Sequence, residues 1–160
     1  MIVVSNTSPI SNLALINHLH LLQHLYGQIF IPTGVQAELM KEPSVAANVA
    51  ASFNTFITPV IVKNQPLLQS LLVSLDRGEA EAIALTKELS GDLLLIDERL
   101  GRGIALQNQL NITGLLGVLL VAKSRSLIIA VKPLMDDLIN IAGFRISSQL
   151  YQQVCATCGE

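Results

Sequence analysis

The sequence has few charged residues and few aromatic residues. Only 14% of its 160 residues are Asp, Glu, Lys or Arg, and the aromatic side chains are four Phe, two Tyr and no Trp. A core must therefore be built from Leu, Ile, Val and Ala. The net charge of -2 argues against binding nucleic acid mainly through an excess of positive charge. This length is typical of one domain, and we expect a single domain over residues 1–160.

Residues 1–37 contain no Asp, Glu, Lys or Arg, and the mean hydropathy of the chain is high, at +0.53. A membrane segment is still not expected, because prolines and polar residues interrupt every stretch before about 18 consecutive apolar residues accumulate. No basic segment precedes this stretch, as it would in a secretory signal. We therefore expect a cytoplasmic protein with no membrane contact. Its apolar surplus would fill either strands that are buried on both faces or an oligomer interface.

The two cysteines, Cys155 and Cys158, lie close to the end of the sequence. A structural zinc site needs four ligands, and this pair supplies only two, with no histidine nearby. A redox-active pair would follow a strand and open a helix. We interpret residues 155–160 as a frayed tail with two incidental thiols.

Short apolar runs alternate with helical patterns along the chain. Strands are predicted at 2–4, 28–31, 56–62 (an edge strand, because of its proline) and 93–96, with a brief one near 112. Helices are predicted in the intervals, among them 77–89, 115–123, 132–142 and 147–154. This alternation predicts an α/β fold with layers of helices around a mostly parallel sheet. Ligands of such sheets bind beyond the carboxyl ends of the strands. The two most apolar strands end there in Asn6-Thr7-Ser8 and in Asp97-Glu98.

Carboxylates are concentrated in one part of the sequence. Seven of the twelve lie within 23 residues; they are Asp76, Glu79, Glu81, Glu88, Asp92, Asp97 and Glu98. If they converge, a cation must offset their repulsion, and oxygen ligands suit Mg²⁺ or Mn²⁺, ions that can activate water at a phosphodiester. Alternatively, most of these charges are solvated on a helix surface, which we favour for Glu88 and Asp92.

Glu79 and Glu81 are two residues apart and therefore about 200° apart on a helix, so both cannot face one site. We choose Glu79, which lies beside the apolar stripe at the helix N-terminus, near the carboxyl ends of the strands. Glu81 is the alternative.

Four short segments, in this order and spacing, carry a resemblance to a known family. They are VVSNTSP (3–9), VQAEL (35–39), GEAEAIAL (78–85) and LLIDERL (94–100), with further similarity at 114–122 and 143–147. Together they resemble the PIN domains, and most closely a small prokaryotic subfamily of predicted nucleic-acid-binding PIN proteins. The resemblance implies a three-layer α/β/α domain and endoribonuclease activity that depends on Mg²⁺ or Mn²⁺. Many relatives are VapC-like toxins that a small antitoxin protein neutralises, and many form homodimers.

The resemblance also implies roles for individual residues. The second, third and fourth acids of the family correspond to Glu38, to Glu79 (or else Glu81) and to Asp97. The first acid is replaced by Asn6, which leaves the site one negative charge short. The catalytic residues would be Asn6, Glu38, Glu79 and Asp97, and all of these except Glu38 would bind the metal. Thr7 or Ser8 would supply an orienting hydroxyl.

Other residues near Asp97 have weaker expected roles. Glu98 could compensate for the missing charge by turning inward, although a solvated position is the simpler interpretation. Arg99 and Arg102 could bind RNA phosphates, or could pair with surface carboxylates.

Two functions are consistent with these residues. The first is a PIN-type ribonuclease that acts on RNA, and the resemblance implies a small antitoxin protein as a partner. The second is a binding module that keeps the fold and has lost the chemistry, which the replacement at Asn6 favours. A phosphatase or phosphoacceptor domain would need Asp at this position, so Asn6 argues against it.

Overall fold

The computed structural model describes all 160 residues, and its centre is a five-stranded sheet in which every pair of neighbouring strands is parallel. The strands are β1 (Val3–Ser5), β2 (Ile29–Pro32), β3 (Ile57–Val60), β4 (Leu93–Leu95) and β5 (Ile112–Thr113). Their order across the sheet is β3-β2-β1-β4-β5, so β3 is an edge strand as predicted.

Ten α-helices and one short 3₁₀ helix (Ala50–Asn54) connect the strands. The helices are α1 (Thr7–Leu15), α2 (His20–Tyr26), α3 (Thr33–Lys41), α4 (Pro43–Val49), α5 (Gln65–Leu71), α6 (Arg77–Glu88), α7 (Arg99–Gln107), α8 (Leu115–Ser124), α9 (Lys132–Asn140) and α10 (Ser148–Thr157). None of them combines the length and the apolar character that crossing a membrane would require.

Helices cover both faces of the sheet because successive strand residues point to opposite sides. In β1, Val3 belongs to the larger core, which lies against α1, α2 and α8, whereas Val4 belongs to the second core, against α5 and α6. In β4, Leu95 and Leu94 divide between the two cores in the same way. The chain is therefore a three-layer α/β/α domain, and its apolar surplus fills two cores.

The strand order reverses at β1. The chain proceeds from β1 to β2 and β3 on one side, crosses over through α5 and α6, and places β4 on the other side of β1. The carboxyl ends of β1 and β4 therefore lie at a topological switch point, where open α/β sheets bind their ligands. The two polar strand ends noted in the sequence meet there.

Two sequence predictions need correction. Helix α5 was not predicted, although Asn64, whose side chain accepts a hydrogen bond from the backbone N–H of Leu67 at 3.2 Å, and Pro66 form a recognisable helix start. The predicted frayed tail at 155–160 is wrong. Helix α10 continues to Thr157, and the side chain of Glu160 accepts hydrogen bonds from the backbone N–H groups of Val131 and Lys132 at 2.7 and 2.9 Å.

Candidate active site

The candidate site lies at the carboxyl edge of the sheet, between β1 and β4. Asn6 follows β1 directly, and its backbone N–H donates to the carbonyl of Leu95 at 3.0 Å, which extends the pairing of the two strands by one residue. Ile96 continues β4 in the same way, donating to the carbonyl of Thr113 at 3.0 Å. The side chains of Asn6 and Asp97 therefore project from a rigid part of the sheet rather than from loose loops.

Asp97 is held by the N-terminus of α8. Its Oδ1 accepts a hydrogen bond from the backbone N–H of Leu115 at 2.8 Å, where the helix dipole favours a negative charge. Gly114 allows this approach, since a Cβ atom there would lie 2.7 Å from the same oxygen. The other oxygen, Oδ2, is buried and has no hydrogen-bond partner. Burial raises the pKa of Asp97, and the bond from Leu115 opposes this rise.

Glu79 lies in the first turn of α6, with only 7% of its surface exposed. The helix start is fixed by Asp76, whose Oδ1 accepts from the backbone N–H of Glu79 at 2.9 Å. Burial, followed by repulsion from Asp76 and Glu98, raises the pKa of Glu79 to about 7, and Glu38 contributes in the same direction. Glu79 is thus close enough to be repelled by Glu38 on α3 and by Glu98, which follows β4.

Glu38, on α3, is oriented by Thr7 of α1. The Thr7 hydroxyl donates to Oε2 of Glu38 at 2.7 Å, which leaves Oε1 without a protein partner. A Cβ atom on Gly78 would lie 2.7 Å from this Oε1 and 3.3 Å from Oδ1 of Asn6. The absence of a side chain at position 78 therefore lets these two oxygens approach α6 from α3 and β1.

Glu81 points to a different part of the molecule. Its Oε2 accepts from the backbone N–H of Gly34, at the start of α3, at 3.0 Å, and its Oε1 pairs with Arg77 at 2.8 Å. Oε2 therefore joins α6 to α3, while Oε1 is used in an ion pair within α6 itself. Of the two acids considered from the sequence, Glu79 is the one that lies among the other carboxylates.

Ser8, Glu98 and Arg102, which were also considered from the sequence, line depressions beside Asp97. The Ser8 hydroxyl accepts a hydrogen bond from the side chain of Asn12 at 3.0 Å. Glu98 is exposed and lines one depression with Asp97. Arg102 lines another depression with Asp97 and donates to the carbonyl of Ile96 at 2.9 Å.

Arg99 lines a separate groove on α7, with Leu100 and Ile104 and without any of the site acids. The structure therefore brings Arg102 to the acidic edge and does not bring Arg99 there. The Arg pair expected from the sequence is divided between two surfaces.

The donor set suits a hard divalent cation. It consists of carboxylate and amide oxygens, and it includes the unpartnered Oδ2 of Asp97. No three His, Cys, Asp or Glu side chains stand close enough together to form a metal site by themselves. Mg²⁺ is usually held by one or two carboxylates together with water molecules. The carboxylates of Glu79 and Asp97, together with the amide oxygen of Asn6, are therefore ligands of the type that Mg²⁺ binds.

Three positions that shape the site were not singled out from the sequence. Gly78 and Gly114 are needed because backbone approaches the acids there, and Asn12 is needed because it holds Ser8. Gly78, directly before Glu79 in the first turn of α6, was a possible signal, because a glycine can mark a close approach of backbone to another group. No local sequence pattern indicated that Asn12 contacts Ser8.

The fold and the acidic edge define an α/β/α domain of the nuclease type. A family model described as a PIN domain matches residues 2–160, and the chain belongs to the PIN-domain family. PIN domains generally depend on divalent metal ions. No curated protein and no solved structure matches the chain significantly.

Proposed function

We propose that the protein is an endoribonuclease that depends on Mg²⁺ or Mn²⁺. The observation that carries the proposal is the buried, unpartnered Oδ2 of Asp97 at the topological switch point. A buried carboxylate oxygen without a hydrogen bond costs free energy unless a cation or a proton compensates it. The raised pKa of Glu79 supports the same conclusion, because a bound cation would offset both the burial of its charge and the repulsion from its acidic neighbours.

Asn6, Glu79 and Asp97 would hold the metal. The bound ion would supply an activated water and would stabilise the oxygen that leaves the phosphodiester. The chain's own contribution is positioning. The N–H of Leu115 fixes Asp97, and the Thr7 hydroxyl fixes Glu38 with Oε1 free to accept a hydrogen bond from a water or from the substrate.

A panel of labelled single-stranded and structured RNAs, incubated with Mn²⁺, tests the proposal. Asp97→Asn should abolish cleavage, and Asp137→Asn, a change of the same kind on α9 outside the site, should not. Equal cleavage by the wild type and Asp97→Asn would show that the activity does not use this site. RNA binding without cleavage by the wild type would favour the alternative, a PIN-fold binding module, for which Asn6 in place of an acid is the specific observation.

The more specific properties that the resemblance implies remain predictions. They are a VapC-like toxin role with an antitoxin partner, a homodimer and a cytoplasmic location. Exposed apolar side chains such as Leu100 and Leu106 on α7 are available for an interface. Growth arrest on expression, absent for Asp97→Asn, would support the toxin role, and light scattering of the purified protein would give the oligomeric state.

A further inference from the structure

Three surface depressions lie in series along the acidic edge. The first, of about 690 Å³, is lined by Thr7 and Glu38 among others, and the second, of about 420 Å³, shares Asn12 with it. The third, of about 410 Å³, shares Asp97 and two further residues with the second. Because neighbouring depressions share lining residues, we describe them together as one trough, bordered by Glu38 in the first depression and by Asp97 in the second and third.

One short segment, residues 141–145, contributes to all three depressions. Its first two residues line the first depression, Gly143 lines the second, and Phe144 and Arg145 line both the second and the third. Gly143 has a φ of +72°, and the backbone N–H of Phe144 donates to the carbonyl of Leu138 at 2.9 Å. A glycine with a positive φ shortly after a helix commonly lets the chain leave the helix direction. It turns the chain from α9 across the acidic edge, so that the segment forms a wall of the trough.

Arg145 is a cation without a protein partner. It is exposed, and it forms no hydrogen bond and no ion pair, although Asp97 and Glu98 line the same depression. Arg102, the other arginine of the trough, already donates to a backbone carbonyl. Arg145 is therefore the guanidinium that is free to bind an anion beside the acids.

Phe144 is the only aromatic residue that lines the trough. It is half-buried, with part of its surface packed against the larger core. An aromatic ring that is held at its base and borders a groove is a stacking platform for a nucleotide base, and such platforms accept any base sequence. A phosphate-binding arginine beside a stacking ring is the combination that single-stranded nucleic acid requires.

We propose that single-stranded RNA lies along this trough, with a base stacked on Phe144 and a phosphate bound by Arg145. This inference deepens the proposed function and rests on it, because it takes RNA as the substrate. The segment 141–145 is then the wall that positions the strand, and the phosphodiester to be cleaved lies over Asp97 between the second and third depressions.

Binding is measured apart from cleavage, by fluorescence anisotropy of a labelled single-stranded RNA of about 12 nucleotides. The buffer contains a chelator, and the salt concentration is varied. Arg145→Ala should weaken binding and should lower the slope of log K against log salt by about 0.7, the value for one phosphate contact on a single strand. Arg145→Lys should restore most of that slope. Phe144→Leu, which keeps the apolar packing, should weaken binding by about fivefold or more with no change of slope.

Lys87→Ala is the matched control, since it removes one positive charge at the opposite end of α6 and should leave the slope unchanged. Thermal melts of all variants show whether each still folds. A slope for Arg145→Ala equal to that of the wild type, an affinity for Phe144→Leu equal to that of the wild type, or no RNA binding by the wild type would overturn the proposal. If these binding differences appear and the wild type cleaves no RNA with Mn²⁺, the trough is supported and the nuclease function is refuted.

Discussion

Asp97 and Leu115 are joined by a hydrogen bond of 2.8 Å from the backbone N–H of Leu115 to Oδ1, whereas Oδ2 of the same carboxylate is buried without a partner. One oxygen is thus used to place the side chain, and the other is left for a ligand. The contact joins the end of β4 to the start of α8, so the position of the acid depends on two elements of the fold.

Asp97→Asn is expected to keep the fold. The amide oxygen can still accept the bond from Leu115, and a neutral group no longer bears the desolvation cost that raises the pKa of Asp97. We expect a free energy of unfolding within about 1 kcal/mol of the wild-type value, measured by urea titration. A loss of several kcal/mol would mean that the charge of Asp97 stabilises the domain, and loss of cleavage in this variant could then not be assigned to chemistry.

Glu79 should make the metal-free protein less stable as the pH rises. Its pKa is about 7 in the folded state, whereas an unperturbed glutamate has a pKa of 4.5, so between these values the folded protein holds a proton that the unfolded chain has lost. Stability therefore falls between these two values and levels off above the higher one. In the presence of a chelator, we expect a loss on the order of 2 kcal/mol from pH 4.5 to pH 7.5 relative to Glu79→Gln. Parallel stability profiles for the two proteins would contradict the raised pKa.

Glu81 is expected to matter for stability and not for catalysis. Glu81→Ala leaves the backbone N–H of Gly34 without its acceptor, which should cost about 1–3 kcal/mol in the free energy of unfolding. Most of the cost should come from this bond, because the ion pair with Arg77 is largely exposed on the arginine side. Glu81→Gln keeps an acceptor oxygen and should recover most of the stability. Loss of cleavage by folded Glu81→Gln would place this acid, rather than Glu79, in the active site.

Restoring the missing acid should strengthen metal binding. Asn6→Asp adds a carboxylate beside Glu38, at the position where the resemblance to PIN domains implies an acid, and should raise the affinity for Mn²⁺ in calorimetric titrations. Without metal, the added charge should lower the melting temperature at pH 8, because it lies near the buried Glu79, which neighbouring carboxylates already repel. Asn54→Asp adds the same charge at an exposed position far from the edge and should do neither. Unchanged Mn²⁺ affinity in Asn6→Asp would indicate that residue 6 is not a ligand.

Much of the architecture was predictable because it depends on local patterns. The apolar runs that became β1 and β4 are short and continuous, as in strands that are buried on both faces, and the helical periodicity of α6 identified its core side. Since parallel strands share one carboxyl edge, Asn6 and Asp97 could be expected to lie at one place. The missed α5 is a different case, because its start signal at Asn64 and Pro66 was present and was not used.

Sequence patterns were enough to predict the layers, the edge of the sheet that carries polar groups, and the presence of enough carboxylates for a cation. Which acids lie near one another depends on the tertiary packing. The bonds from Thr7 to Glu38 and from Gly34 to Glu81 join residues that are 31 and 47 positions apart, and their geometry depends on how α1, α3 and α6 pack on the sheet. The position of Phe144 and Arg145 beside Asp97 also depends on this long-range packing. A side chain's type and spacing can be read along the chain, but its neighbours are set by long-range packing.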